Sequence, residues 1–281
     1  MERVHALYDT PMRSEVASYR PYTFLVLSLL VTWVFWFAAA ATGQGWLEFP
    51  NVLLTACGFL TPLALAFFLV QRGYWDGNVT SFVRNCFNPA AIAARWYILL
   101  AVLLLVSTAG PLIVASIVFA EPISELAAFS PPSAFLLVGL AAGAIEEPGW
   151  RGYAQKALQA RHSPLVSSLI IGVFWALWHV PLFLIAGTYQ STIGLFSSGF
   201  LFFMASVFVG SIFYGWIYNA VGQLAVVAVV YHGFGNVLHE VFSFSRTDVV
   251  IQVVEFIPAA LISLAVLLLF WKRMTRSPSR T

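Results

Sequence analysis

The chain has 281 residues, 60% of them hydrophobic and 9% charged, with a net charge of +2. A soluble domain carries roughly 25% charged residues, so the composition excludes a free-standing soluble enzyme. Two surplus positive charges spread over this length also exclude a nucleic-acid footprint.

Crossing a hydrocarbon core takes about 20 apolar residues per helix. Apolar runs of that size recur at about 22–42, 51–71, 96–120, 133–158, 165–186, 197–218, 223–243 and 252–271, which predicts an all-α, polytopic integral membrane protein of about eight transmembrane helices. The first run ends in FAAAATG, which resembles a signal-peptidase site, but its apolar length behind a 21-residue leader suits a retained anchor better. The second contains GFLTPLALA, with Gly58 and Pro62. The connections are short and no internal repeat is visible, so residues 1–281 read as a single membrane-embedded domain. Cys57 falls in an apolar run and Cys86 in a loop, suggesting buried thiols rather than a disulfide framework or a metal motif.

Loops rich in Lys and Arg stay cytoplasmic. With both termini cytoplasmic, Arg3, Arg13, Arg20, Arg72, Arg84, Arg95, Arg151, Lys156, Arg161, Lys272, Arg273, Arg276 and Arg280 lie on or toward that side, leaving Arg246 opposite. The minimal loops and the lack of an organelle address suggest a bacterial plasma membrane. The tail WKRMTRSPSRT is a basic stop after the last helix.

Ionisable groups inside spans are costly and usually face a bundle interior, a cavity or a partner. The polar candidates singled out here fall in the fourth, fifth and seventh runs: Glu146, Glu147, Arg151, His179, His232, Asn236, His239 and Glu240. Glu146 lies 16 residues before His162 and His179 lies 17 after it, so an antiparallel hairpin puts them at one level. Glu147 and Arg151 share a helical face and can pair, leaving Glu146 as the free carboxylate. Pro148 removes a backbone donor and biases the residue before it away from helical angles, which predicts a kink at the carboxylates. His232, Asn236 and His239 form one polar stripe, of which His239, with Glu240, lies nearer the outer end and reads as interfacial. Taken singly, each of these residues could be interhelical glue. Together they also suit a transporter or proton relay, although a relay extends through the membrane's depth and these residues gather in one layer.

The motifs EEPGWR (Glu146, Glu147, Arg151), WALWH (Trp175, His179) and HGFGN (His232, Asn236), in that order on successive hydrophobic segments, resemble the CPBP family of intramembrane proteases. That family includes the type 2 CAAX prenyl endopeptidases and relatives linked to bacteriocin processing and immunity. The resemblance covers about residues 133–243. It implies an endopeptidase in which Glu146, aided by His179, activates water. His232 and Asn236 would stabilise the oxyanion, and Glu147, paired with Arg151, would keep Glu146 aimed. Trp175 stands where phenylalanine is commoner and reads as a packing position. A scaffold on the same fold would be expected to lack a motif residue, and none is missing. The implied partners are membrane lipids and a membrane-anchored, in one branch lipidated, protein or peptide substrate, with no nucleic acid and no indication of oligomeric state. The cofactor question stays open between none and a divalent metal such as zinc on Glu146, His179 and His232. The absence of a helical two-histidine pair favours a metal-independent glutamate mechanism.

Overall fold

The computed structural model describes residues 18–128, 134–245 and 248–277; Arg3, Arg13, Arg246 and Arg280 of the charge argument lie outside them. In chain order the helices begin with α1 (Pro21–Ala41), α2 (Asn51–Gln71), α3 (Val79–Phe87), α4 (Ala94–Phe119) and the short α5 (Ile123–Leu126). Then α6 (Ala134–Glu147) runs directly into a π-helical stretch, Pro148–Gln155, and on into α7 (Lys156–Gln159). After α8 (Pro164–Trp178) and a 3-10 turn (Val180–Leu184) come α9 (Tyr189–Ile193), α10 (Ser198–Ala220), α11 (Val226–Val241) and α12 (Val249–Thr275). The strands among the described residues are β1 (Ala127–Ala128) and β2 (Ser243–Phe244), a two-residue antiparallel pair. The all-α polytopic expectation is met.

Among the described residues six helical stretches are long and apolar enough to cross a membrane: Pro21–Ala41, Asn51–Gln71, Ala94–Phe119, Pro164–Leu184, Ser198–Ala220 and Val249–Thr275. The fourth and seventh expected runs fall short. α6 has 14 residues before the helix widens, and α11 has 16. These are the segments that hold Glu146, Glu147, His232 and Asn236; they fall short in helical length, α6 because it widens after Glu147 and α11 because it spans only Val226–Val241.

The two shorter helices lie against each other backbone to backbone. A side chain at Gly143 would collide with the main chain of Val229 and Gly233, and one at Gly139 would press on Asn236. Small residues permit this closeness where no hydrophobic force drives helices together. The start of α11 is clasped by α3: Asn85 donates from Nδ2 to Gln223 O at 2.7 Å and accepts at Oδ1 from Ala225 N at 3.1 Å. α3 itself begins in a capping box between Asn78 and Ser81 and turns Phe82 and Cys86 inward, toward Gly152 of the π stretch. Cys86 is buried as expected, whereas Cys57 is exposed on α2, and both are free thiols.

One end of the bundle gathers basic residues from distant segments. Arg161 Nη2 donates to Tyr19 O at 3.2 Å, Arg20 N donates to Tyr153 Oη at 3.1 Å, and Lys156 Nζ pairs with Asp76 at 2.6 Å.

Pro62 sits inside α2 and has no N–H to give to the carbonyl of Gly58. That acceptor is served from α1, where Thr32 Oγ1 donates to Gly58 O at 3.0 Å. Thr32 Oγ1 in turn accepts from Trp178 Nε1 at 2.8 Å, tying the end of α8 to both helices. Replacing Thr32 with Val strips both partners of their bond. It should lower stability by about 1–3 kcal/mol, read as an earlier unfolding midpoint in detergent micelles, and an unchanged midpoint would refute the linkage.

Candidate active site

Pro148 does not break the helix. Glu147 keeps helical angles (φ −67°, ψ −29°), and the chain widens into the π stretch, so the expected kink takes the form of a change in helical register. Glycine makes this wider coil fit: a side chain at Gly149 would meet Phe24 and Pro62. Despite the altered register, Arg151 Nη1 reaches back to both Glu147 oxygens, at 3.2 and 3.1 Å.

Both partners are fully buried, at 0% exposure. Two aromatic faces take the place of water around the cation, with the Arg151 guanidinium carbon 4.3 Å from the ring centres of Trp175 and Tyr214. Its Nη2 donates to Ser211 Oγ at 3.2 Å, and Ser211 passes its own hydrogen to Ser168 O at 2.9 Å. Glu147 has a second partner, His232 Nδ1, 2.8 Å from Oε1. A carboxylate so engaged accepts, which places a hydrogen on Nδ1 and leaves Nε2 as the outward-facing nitrogen.

Glu146 is also buried, and its Oε2 accepts from Trp175 Nε1 at 2.7 Å. α8 is started by Ser163, whose hydroxyl caps Val166 N at 3.3 Å, with Pro164 in the first helical position. It stops at His179, two residues before Pro181. There His179 Nδ1 lies 2.7 Å from Trp175 O. A main-chain carbonyl can only accept, so the hydrogen is on Nδ1 and Nε2 carries a lone pair when the ring is neutral.

Five of the six predicted site residues therefore converge: Glu146, Glu147, Arg151, His179 and His232 surround Trp175. The Trp175 ring lies 5.5 Å from that of His232 and 6.1 Å from that of His179. Asn236 is not among them. It lies a turn further along α11, is exposed, and donates from Nδ2 to Gly139 O at 3.3 Å. The expected polar stripe also divides, since His239 faces Glu255 of α12 at 3.9 Å and the ring of Tyr189 at 6.0 Å. Trp175, which the sequence reading treated as packing, stands at the centre of this cluster and donates to Glu146. The available signal was a buried indole, which requires an acceptor, one helical turn before a histidine.

Among the described residues no three His, Cys, Asp or Glu side chains form a group that could hold a metal ion. Glu146, His179 and His232 do converge, but the Nδ1 of each imidazole is already engaged and one Glu146 oxygen is held by an indole.

Fold and cluster together define a polytopic membrane protein with a buried carboxylate and imidazole site. Residues 128–238 match the model of a family described as type II CAAX prenyl endopeptidase Rce1-like, a span that includes all three motifs. The chain is also 28% identical over 276 residues to CAAX prenyl protease 2 of Methanococcus maripaludis, which covers 91% of this chain and 97% of that protein. These findings bear out the resemblance carried by the motifs and support a CPBP, type II CAAX protease family.

Removing one member of a buried ion pair leaves an uncompensated charge. Arg151→Met should therefore destabilise the protein by about 3–5 kcal/mol, measured by denaturant unfolding in bicelles. A midpoint equal to wild type would show that His232 alone suffices for Glu147.

Proposed function

We propose that this protein is a glutamate-dependent endopeptidase that hydrolyses a peptide bond beside the lipidated cysteine of a membrane-anchored, prenylated protein. The observation that carries the proposal is the meeting of Glu146, His179 and His232 around one buried indole, with Glu147 and Arg151 neutralising each other behind them. The name of the Methanococcus maripaludis relative supports the substrate class.

In this mechanism a water molecule sits between Glu146 Oε1 and His179 Nε2. Glu146 takes its proton as the water oxygen bonds to the substrate carbonyl carbon, and the carbonyl electron pair moves onto oxygen. His232 Nε2 faces the resulting oxyanion. Because Nδ1 already gives its hydrogen to Glu147, donation from Nε2 uses the imidazolium form, whose charge Glu147 balances. Asn236 supplies a second donor by exchanging Gly139 O for the oxyanion. Collapse of the tetrahedral species breaks the C–N bond, and Glu146 returns the proton to the departing amine, leaving a carboxylic acid and an amine that exchange a proton to become carboxylate and ammonium. The chain's own residues carry every step.

The side bias of the basic residues supports both termini being cytoplasmic and the site opening toward the cytoplasmic leaflet, and the short loops suit a bacterial plasma membrane. Its partners are then membrane lipids and the anchored substrate.

The test is cleavage of farnesylated and unlipidated CAAX peptides by the purified protein in nanodiscs, with and without a strong chelator. Glu146→Ala should lower the rate by roughly 100- to 10,000-fold, His232→Ala by about 100- to 1,000-fold, and the chelator should leave wild type unchanged. Loss of activity with chelator would overturn the metal-independent route. An uncleaved peptide set, together with glutamate-dependent ion flux after reconstitution into sealed vesicles, would replace the protease with a relay.

A further inference from the structure

We propose that Trp175 is the positioning residue of the site: its indole N–H fixes one oxygen of Glu146 so that the other faces the attacking water. The inference rests on Glu146 being the base, and it concerns what aims that base.

Tryptophan has one polar atom, a donor, and here it lies 2.7 Å from Glu146 Oε2, at the short end of the range for N–H···O bonds. A hydrogen bond positions its acceptor only if the donor itself is held. The Trp175 ring is 5% exposed and closed in on several sides. The Arg151 guanidinium covers it at 4.3 Å, Tyr214 meets it edge-on at 5.5 Å and 85°, and His232 meets it at 5.5 Å and 69°. These neighbours come from the π stretch, α10 and α11, so the indole is locked by three elements besides its own. The main chain of the same residue serves the second water-binding group, since Trp175 O receives the Nδ1 hydrogen of His179. One residue thus orients the carboxylate through its side chain and the imidazole through its backbone.

Phenylalanine separates the two contributions. It keeps the carbonyl for His179 and a ring face for Arg151, and it removes only the donor to Glu146. The donor aims the base and does not itself take the proton, so the base functions without it, less well aimed. The expected result is a slower reaction rather than an abolished one.

The experiment compares wild type, Trp175→Phe and Glu146→Ala in nanodiscs on a farnesylated CAAX peptide, with kcat and KM measured separately. Trp175→Phe should lower kcat by about 10- to 100-fold, the scale of a misaimed catalytic group, while KM stays within about twofold. A second measurement does not depend on turnover. The indole ¹H–¹⁵N resonance of Trp175, assigned by its disappearance in Trp175→Phe, should shift upfield in Glu146→Gln, where a weaker neutral acceptor replaces the carboxylate. Wild-type kcat in Trp175→Phe, or an indole resonance indifferent to Glu146→Gln, overturns the positioning role. Full loss in Glu146→Ala with intact Trp175→Phe overturns that role alone. Wild-type activity in Glu146→Ala overturns the base assignment and the positioning role together.

Discussion

The site depends on burying the Glu147 carboxylate inside a membrane protein. An unpaired ion there carries a large desolvation cost, and two groups from different elements offset it: Arg151 from the π stretch and His232 from α11. The rest of the arrangement follows from accommodating that cluster. Arg151 needs a low-water coat of its own and finds it in Trp175 and Tyr214. Ser211 and Ser168 take up one of its remaining hydrogens. The adjacent carboxylate, Glu146, has no cationic hydrogen-bond partner among the described residues and is held by an indole. The two neighbouring glutamates are thereby separated into a member paired with cations and a member held by an indole.

Geometry enforces this separation through small residues. Gly139, Gly143 and Gly233 bring α6 and α11 close enough for His232 to reach Glu147. Gly149 and Gly152 let the broader π coil nest against α1, α2 and α3. At Pro62 the fold uses an orphaned carbonyl constructively. The Thr32 hydroxyl that serves Gly58 O also receives the Trp178 indole, whose ring stands edge-on to His179 at 4.9 Å.

Much of this was legible in the sequence, and the exceptions have physical causes. Long uninterrupted apolar runs marked the six full-length spans, because hydropathy alone decides them. It also marked two further runs, but it could not show that the helix of α6 widens at Pro148 or that α11 is only 16 residues long, because hydropathy does not report where a regular helix begins and ends. The Glu147 and Arg151 pair followed from their spacing, since neighbours on one helix are fixed by local geometry. The contact between Glu147 and His232 joins residues 85 positions apart, and no local rule points to it. Trp175 was hidden because an indole counts as apolar in any periodicity, so its single donor leaves no mark. Asn236 was assigned by motif to the cluster, yet its amide is engaged by Gly139 O a turn away.

The modest length of α11 has a consequence for the surrounding lipid. Sixteen helical residues rise about 24 Å, against a hydrocarbon thickness of about 30 Å. Phe234 of α11 and Leu137 and Leu140 of the adjoining α6 are exposed, so this pair meets acyl chains rather than hiding behind the longer helices. Hydrophobic mismatch of this kind draws headgroups and water inward and thins the bilayer locally. The polar path from the aqueous phase to the buried carboxylates is shortened by the lipid itself, and a thinner or more deformable membrane favours that geometry.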